Sequence, residues 1–148
     1  MTSNEEKIVE EFTKNFSNLM SEIAIVKSRL ITVKIQLENL LDICHHLKEK
    51  MHFNHISSIS GVDYGDHFSL VYHIYSYSRR CTVTLNMDVP KENPTVASVT
   101  PLWGGANWHE RETYDLFGIV FENHPNLERI LTPPGWEYFP LRKEYKLK

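Results

Sequence analysis

The sequence is poor in the residues that hold clusters or bridges. It contains two cysteines, Cys44 and Cys81, which are far apart and form no C-x-x-C pair. No iron–sulfur cluster or structural zinc site is therefore indicated. A disulfide is not expected either, since residues 1–11 are polar and acidic rather than a signal peptide. Both cysteines are expected to act as small core hydrophobes.

Long apolar runs and a strong net charge are also missing. No uncharged apolar run approaches the roughly 18–20 residues that a membrane-spanning helix requires. A formal charge of −3 gives no support to nucleic-acid binding. The 148 residues, 41% of them hydrophobic and 24% charged, suit one globular domain with its own core. Any contact with a membrane is expected to pass through other proteins.

The eight histidines include two pairs that resemble metal-binding spacings. These pairs are His45-His46, directly after Cys44, and His52-x-x-His55. They fall at the predicted end of a helix and the predicted start of a strand. That context favours packing or surface roles over metal binding.

Hydrophobic periodicity predicts an α+β two-layer domain, with an antiparallel sheet packed by helices. Apolar residues recur at helical spacing in Glu5–Met20 and Gln36–Met51, whereas Ile23–Ile35 is β-branched and predicts one or two strands. Further strands are predicted at His55–Val62, His67–Tyr77 and Cys81–Val89, with an additional one possible at Val96–Val99. The turns between the three long strands indicate an antiparallel meander with helices on one face.

The stretch from Trp103 to Tyr145 carries the most distinctive pattern. A short helix is predicted at Trp108–Phe117, with Gly118 as the left-handed residue that closes it. Asn107 and Glu110 have the spacing of a capping box, and Glu110 and Glu112 are expected in the first turn. Arg111 and Asp115 are spaced to form an i,i+4 pair.

The chain after Gly118 is predicted to be irregular. Prolines occur at positions 125, 133, 134 and 140, and only Leu127–Leu131 has the composition for a turn of helix or a strand. This apolar, extended segment needs a surface to lie on, belonging either to this domain or to a partner. His124-Pro125 is predicted to form a turn in which the imidazole satisfies backbone groups.

The charged residues of this stretch admit simpler explanations than catalysis. Solvent exposure is the default for Arg129, Arg142 and Lys143. Four of the nine residues Pro140–Lys148 are basic, and together with the apolar Trp136–Phe139 segment just before them they favour a docked tail over a free one. The acidic cluster on the short helix could suggest an acid–base site, but its successive charges point in different directions around one axis.

These residues closely resemble the signature of the 30-kDa-type subunit family of respiratory complex I, the C subunit of NADH:quinone oxidoreductases. The resemblance covers roughly Leu37–Tyr145. It rests on Ala106, Trp108, Glu110-Arg111-Glu112, Asp115, Gly118-Ile119, Phe121, His124-Pro125, Leu127, Arg129-Ile130-Leu131, Trp136 and Pro140-Leu141-Arg142-Lys143, together with Gly61-Val62-Asp63-Tyr64 and Val71-Tyr72-His73 upstream.

The sequence departs from the family pattern in four respects, one of which is that the loop Thr132-Pro133-Pro134-Gly135 is richer in proline than usual. Asn123 replaces the usual glycine before His-Pro, and asparagine tolerates the positive φ that the turn needs. Glu144 replaces an aspartate and keeps its charge. Few residues follow Tyr145, whereas many quinone-reducing relatives have a longer tail, so the type of complex stays open.

The resemblance implies a non-catalytic structural subunit in the peripheral electron-transfer part of a complex I-like, redox-driven ion-pumping oxidoreductase. Residues 1–122 would form the domain, and 123–148 a proline-rich C-terminal arm docked on a partner. That partner would be the large subunit related to the [NiFe] hydrogenase large chain, with a small iron–sulfur subunit nearby and the membrane part contacted only indirectly. Iron–sulfur clusters, and a quinone-type acceptor or NiFe centre, would belong to partners, with no cofactor on this chain.

The resemblance also implies a partner interface and leaves the type of complex open. The interface residues would be Trp108, Glu110, Arg111, Glu112, Asp115, His124, Pro125, Arg129, Trp136, Pro140, Leu141, Arg142 and Lys143. The location would be the cytoplasmic side of the cell membrane, held through other subunits. Within this class, an F420H2 dehydrogenase or an energy-converting [NiFe] hydrogenase is an alternative to an NADH:quinone oxidoreductase. From another class, a free-standing adaptor domain remains possible.

Overall fold

The computed structural model describes residues 3–144 and contains three α-helices and seven strands in that range. The helices are α1 (Asn4–Phe16), α2 (Leu40–Glu49) and α3 (Ala106–Phe117), and a 3₁₀ turn at Leu37–Asn39 precedes α2. The strands are β1 (Met20–Lys27), β2 (Leu30–Ile35), β3 (His55–Asp63), β4 (His67–Ser76), β5 (Cys81–Pro90), β6 (Thr95–Ala97) and β7 (Val120–Glu122).

Five strands form one sheet in the order β1-β2-β5-β4-β3. All neighbours are antiparallel except β2 and β5, which run parallel. The meander of β3, β4 and β5 is the one that the turns predict. The fold class, α+β with an antiparallel sheet packed by helices, is confirmed.

The core lies between the sheet and its helices. On β5 the odd-numbered residues from Cys81 to Val89 are all buried, as the alternation predicts. Ile8 and Phe12 of α1 and Leu47 of α2 are buried in the same cluster. Both cysteines are fully buried, which agrees with their predicted role as core residues.

α3 packs against β3 by a close approach at Gly61. A Cβ atom at this position would lie 2.8 Å from the Phe117 ring, closer than such atoms pack. Glycine is therefore required here for the end of α3 to settle on the sheet. This contact fixes the position of the signature helix.

Three sequence predictions about these elements need correction. Helix α1 ends at Phe16, so Met20 belongs to β1, where it pairs with Ile35. The predicted helix at Gln36–Met51 begins with a 3₁₀ turn and becomes α-helical only at Leu40. The possible strand near Val96 exists as β6, but it pairs in parallel with the unpredicted β7 in a separate two-stranded sheet.

Candidate functional site: the C-terminal arm and helix α3

Helix α3 begins differently from the prediction. Gly105 occupies the N-cap position and Asn107 lies inside the helix, so the predicted capping box does not form. Glu110 is fully buried and cannot reach back to the helix start. The predicted acidic residues in the first turn are likewise absent from the first turn of α3. The helix closes on Gly118 at φ 79°, as predicted.

The Glu110 carboxylate instead joins α3 to the segment after β6. One oxygen accepts a hydrogen bond from Ser98 Oγ at 2.6 Å, and the other accepts one from the Val99 N–H at 2.8 Å. Burial raises the pKa of Glu110 to about 7, although these two bonds oppose the shift. This carboxyl group therefore gains or loses its proton close to neutral pH.

Asp115 is the main anchor of the arm, which comprises residues 123–144. One carboxylate oxygen accepts from the backbone N–H groups of Ile130, Leu131 and Thr132 at 3.0, 2.6 and 3.0 Å. The other accepts from Arg129 Nη1 at 2.9 Å and from the Thr132 hydroxyl. Burial alone would raise the pKa of Asp115, but these hydrogen bonds lower it to about 2.

These bonds overturn two predictions. The i,i+4 pair of Arg111 with Asp115 does not form, because Asp115 is saturated by the arm and Arg111 Nε donates to the Glu128 carbonyl at 3.1 Å. Leu127–Leu131 forms neither helix nor strand, since the N–H groups of Ile130 and Leu131 are taken by the Asp115 side chain.

The two arginines of the arm hold it against the domain and are not free in solvent. Arg129 Nη1 bonds the carbonyl and carboxylate of Asp115, and its guanidinium lies 4.7 Å from the Phe139 ring centroid. Arg142 Nε donates to the Phe117 carbonyl at 2.6 Å, and its guanidinium lies 5.2 Å from the Phe68 ring centroid and 4.8 Å from that of Phe139. The default of solvent exposure is therefore wrong for both arginines.

The last described residues are held at the β3–β4 turn. Asp63 Oδ2 accepts from the Lys143 N–H at 2.7 Å and pairs with Lys91 Nζ at 2.9 Å. Lys91 Nζ also lies 3.0 Å from a Glu144 carboxylate oxygen. Burial would raise the pKa of Asp63, but the bonds from Lys143, Gly65 and Lys91 lower it to about 2. The Lys143 side chain itself remains exposed.

The His124-Pro125 turn has the predicted construction. Asn123 adopts φ 66°, the positive angle expected of the residue that replaces glycine. His124 Nδ1 lies 2.9 Å from the Asn126 N–H, and Nε2 lies 3.1 Å from the Asn107 carbonyl. Since Nδ1 accepts, we assign the proton to Nε2, so the neutral ring satisfies two backbone groups.

The internal bonds of the arm leave a set of apolar side chains on the surface. Trp108 is 53% exposed, Leu131 58%, Tyr138 49% and Leu141 52%. Leu131 and Tyr138 are absent from the sequence-predicted interface; their apolar character between prolines was the available signal. Of the predicted residues, Trp108, Pro125, Leu141 and Lys143 are exposed, whereas Arg111, Glu112, Trp136 and Pro140 are half-buried. The side chains of Glu110, Asp115 and His124 are buried and bonded internally.

A groove of about 540 Å³ lies between the arm and α3. It is lined by Tyr114, Leu127, Glu128, Arg129, Pro134, Gly135, Trp136 and Phe139. The buried carboxylates of Glu110 and Asp115 do not line it, so these acidic residues of α3 do not converge on this groove. Across residues 3–144, no three His, Cys, Asp or Glu side chains are grouped to hold a metal ion. Nor does this part of the chain contain a helix long and apolar enough to cross a membrane.

Replacing Gly118 with alanine tests the close approach of the arm to the end of α3. A Cβ atom at Gly118 would lie 2.7 Å from Arg142 Nη2 and 2.9 Å from the Phe139 ring. Gly65 also has a positive φ, 97°, but a Cβ atom there would have nothing within 4 Å. We expect Gly65→Ala to cost about 1 kcal/mol of unfolding free energy and Gly118→Ala about 2–3 kcal/mol. Urea denaturation measures both, and equal losses would show that the arm does not press on Gly118.

Comparison with known proteins gives a consistent result. The family described as "Respiratory-chain NADH dehydrogenase, 30 Kd subunit" matches residues 33–148. The C subunit of the NADH-quinone oxidoreductase of Roseiflexus sp. (strain RS-1) is 43% identical over 122 residues, covering 79% of this chain and 70% of that protein. The C subunit of the F(420)H(2) dehydrogenase of Methanosarcina mazei is 37% identical over 142 residues, covering 94% of this chain and 90% of that protein.

A solved structure agrees with these sequence matches. A trypsin-resistant fragment of Nqo5 superimposes with a TM-score of 0.68 and is 32% identical in sequence. The match covers 84% of this chain and 100% of the fragment. The shared features therefore include both the α+β domain and the sequence signature.

Proposed function

Because the chain belongs to the family of the 30 kDa subunit of respiratory-chain NADH dehydrogenase, we propose that it is a non-catalytic structural subunit of a complex I-like oxidoreductase. It clamps the large subunit that is related to the [NiFe] hydrogenase large chain, beside a small iron–sulfur subunit. Those partners hold the iron–sulfur clusters and the quinone site or NiFe centre. The assembly lies on the cytoplasmic side of a membrane, which this chain meets only through other subunits.

The observation that carries the proposal is the pre-formed arm. The buried Asp115 carboxylate and the partly buried Arg142 guanidinium hold an irregular segment against the domain. The exposed apolar side chains Trp108, Leu131 and Leu141 are thereby presented in fixed positions. A surface ordered before binding loses less conformational entropy when a partner docks. Tryptophan, tyrosine and arginine are also the residues that most often dominate interface energies.

The contact surface differs from the predicted set of interface residues. Four of the predicted residues make bonds within the chain that hold the arm and α3 in shape: Glu110, Asp115, Arg129 and Arg142. The contacts to the large subunit are made by Trp108, Leu131, Tyr138 and Leu141, with the exposed ammonium of Lys143 at the edge. Most of the charged signature residues thus hold the arm in shape, and other side chains make the contacts to the partner.

Leu131→Glu combined with Leu141→Glu tests the clamp. Both side chains are exposed, so the isolated variant should unfold at the same urea concentration as the wild type. In the native complex the charges would be buried without partners, and we expect at least a tenfold loss of co-purified large subunit. The amount of large subunit recovered by affinity purification through a tag on this chain measures the loss.

Val26→Glu is the matched control, since Val26 is also exposed, at 57%, but lies on β1 away from the arm. Normal recovery of the large subunit with the double variant would contradict the proposal. Deletion of residues 135–148 is a less specific test, because Phe139 and Arg142 also support the fold.

An F420H2 dehydrogenase or a membrane-bound [NiFe] hydrogenase is the second candidate within the same class. The match to the Methanosarcina protein over 142 residues supports the first of these alternatives, the F420H2 dehydrogenase. Isolation of the native complex and sequencing of its large subunit distinguishes the types. Two nickel-binding C-x-x-C pairs in that subunit indicate a hydrogenase, and their absence a quinone or phenazine reductase. Recovery of this chain as a free, abundant monomer would instead favour an adaptor.

A further inference from the structure

The two-stranded sheet of β6 and β7 is unusually small. Three residues of each strand pair in parallel, with Val96 opposite Phe121. Two-stranded units are marginal in isolation, and parallel strands normally occur inside larger sheets. Within residues 3–144 no third strand pairs with either of them. Each strand of this sheet therefore has an outer edge without a pairing strand in that range.

The hydrogen bonds to β7 identify which backbone groups of β6 face outward. The Val120 N–H donates to the Pro94 carbonyl at 2.8 Å, and the Ser98 N–H donates to the Glu122 carbonyl at 2.9 Å. Successive residues of a strand direct their backbone groups to opposite edges. Pro94, Val96 and Ser98 thus bond β7, which leaves Thr95 and Ala97 facing the other edge.

A groove of about 270 Å³ runs along β6. Its walls include the apolar Leu37 and Leu41, the latter 41% exposed, and the carboxylates of Glu38 and Glu122. Among the described residues, no basic side chain lines it. A second groove of about 210 Å³ shares Leu37 and Glu38, and its lysine, Lys34, pairs with Asp88 at 3.3 Å. The surface beside β6 therefore offers apolar contact with uncompensated negative charge.

The two outer edges of the main sheet lack this combination. Edge strand β1 is irregular at both ends of its pairing with β2 and carries Glu22 and Lys27. Such interruptions and charges discourage further pairing. Edge strand β3 is packed against α3. Of these edges, β6 best fits an added strand.

We propose that β6 is a docking edge for an extended segment of a partner subunit, which adds as a third strand and places an apolar side chain against Leu37 and Leu41. A lysine or arginine of that segment pairs with Glu38 or Glu122, as the charge of the groove requires. The proposal rests on the proposed function, since it supplies a second attachment to the same complex. It places that attachment at β6, on residues other than the exposed arm side chains Leu131, Tyr138 and Leu141.

Hydrogen exchange of the native complex tests the added strand. We expect the amides of Thr95 and Ala97 to exchange at least tenfold more slowly in the complex than in the isolated chain. The amides of Val96 and Ser98 serve as internal controls, because they bond β7 in both states. The measurement must resolve single amides, for example by fragmenting peptides in the mass spectrometer, because the predicted protection alternates from residue to residue along β6.

The outcomes separate this proposal from the clamp. If the chain co-purifies with the large subunit while Thr95 and Ala97 stay unprotected, the added strand is wrong and the clamp stands. Absence of the chain from any complex overturns both. Equal protection of Thr95 and Ala97 in the isolated chain and in the complex would also overturn the proposal, because a partner strand would then not be the cause of the protection.

Charge reversal provides an independent readout. Glu38→Lys with Glu122→Lys should lower retention of this chain in the complex at least fivefold at low salt. Glu10→Lys with Glu22→Lys, two exposed positions on α1 and β1 outside the groove and outside the arm, should leave retention unchanged. Equal retention of both variants, together with normal folding, would contradict the predicted basic residue of the partner.

Discussion

Replacing Asp115 with alanine is expected to release the arm and to lower the unfolding free energy by about 3–5 kcal/mol. The carboxylate accepts from three backbone N–H groups, the Thr132 hydroxyl and Arg129, and its side chain is fully buried. Alanine would leave those donors unsatisfied and the Arg129 charge without its partner. Urea denaturation measures the loss, and limited proteolysis within residues 127–144 reports release of the arm.

Glu112→Ala is the matched control for this prediction. Glu112 lies on the same helix, but its carboxylate accepts from Trp108 Nε1, at 2.9 Å, on the solvent-accessible side of α3. We expect a loss below about 1 kcal/mol and no new cleavage in the arm. If Asp115→Ala is as stable and as resistant to protease as Glu112→Ala, the arm is not anchored by this carboxylate.

Replacing Glu110 with glutamine is expected to stabilise the isolated chain at pH 8 by up to about 3 kcal/mol. Glutamine resembles the protonated acid, and Ser98 Oγ can accept from its amide while the remaining oxygen accepts from Val99. In the wild type, Glu110 must ionise inside the core at this pH, next to the buried Tyr72. Burial and the Glu110 charge raise the pKa of the Tyr72 hydroxyl, which shows how unfavourable negative charge is there.

The sign of the pH dependence follows from proton uptake. The pKa of Glu110 is about 7 in the folded chain and 4.5 when unperturbed, so between these values the folded state binds the extra proton. Wild-type stability should therefore fall as pH rises from about 4.5 to 7, and the Gln variant should lack this fall. Asp63 and Asp115, with pKa values of about 2, contribute stability above pH 3.8 that is lost only at lower pH.

The free energy of unfolding of the wild type and the Gln variant, measured between pH 5 and 8, tests this pH dependence. Glu110→Ala serves as the contrasting variant, because it leaves the Val99 N–H and Ser98 hydroxyl unpaired and opens a cavity, so it should be destabilised at every pH. A Gln variant that is less stable than the wild type at pH 8 would show that ionised Glu110 stabilises the fold. The two variants together separate the charge of Glu110 from its volume.

Much of the domain could be predicted from local pattern. The alternation in β5 and the helical spacing of α2 are properties of short segments, and both elements form close to their predicted positions. The Gly118 cap and the bond from the Asn126 N–H to His124 Nδ1 were also predictable, because each depends on residues close in sequence. Pairing of β6 with β7 was not, since their ladder joins segments separated by the whole of α3.

The charged signature residues show the same difference between contacts set by neighbours in sequence and contacts set by distant segments. Sequence spacing suggested local partners, pairing Asn107 with Glu110 and Arg111 with Asp115. The fold gives both carboxylates distant partners instead, because burial makes an unsatisfied carboxylate costly and the nearest donors come from other segments. Local spacing cannot indicate which residues are buried at one end of a short helix.

The sequence by itself determined the family, the α+β class and the irregular character of the arm, since prolines remove backbone donors and periodicity requires no tertiary information. Only the tertiary structure decided that residues 129–143 lie on their own domain and that the signature charges support them from beneath. That outcome depends on the buried positions of Asp115 and of the Phe117 carbonyl, which receive the arm's donors. Where a charged group finds its partner is set by three-dimensional proximity in a medium of low polarity, and linear spacing does not encode it.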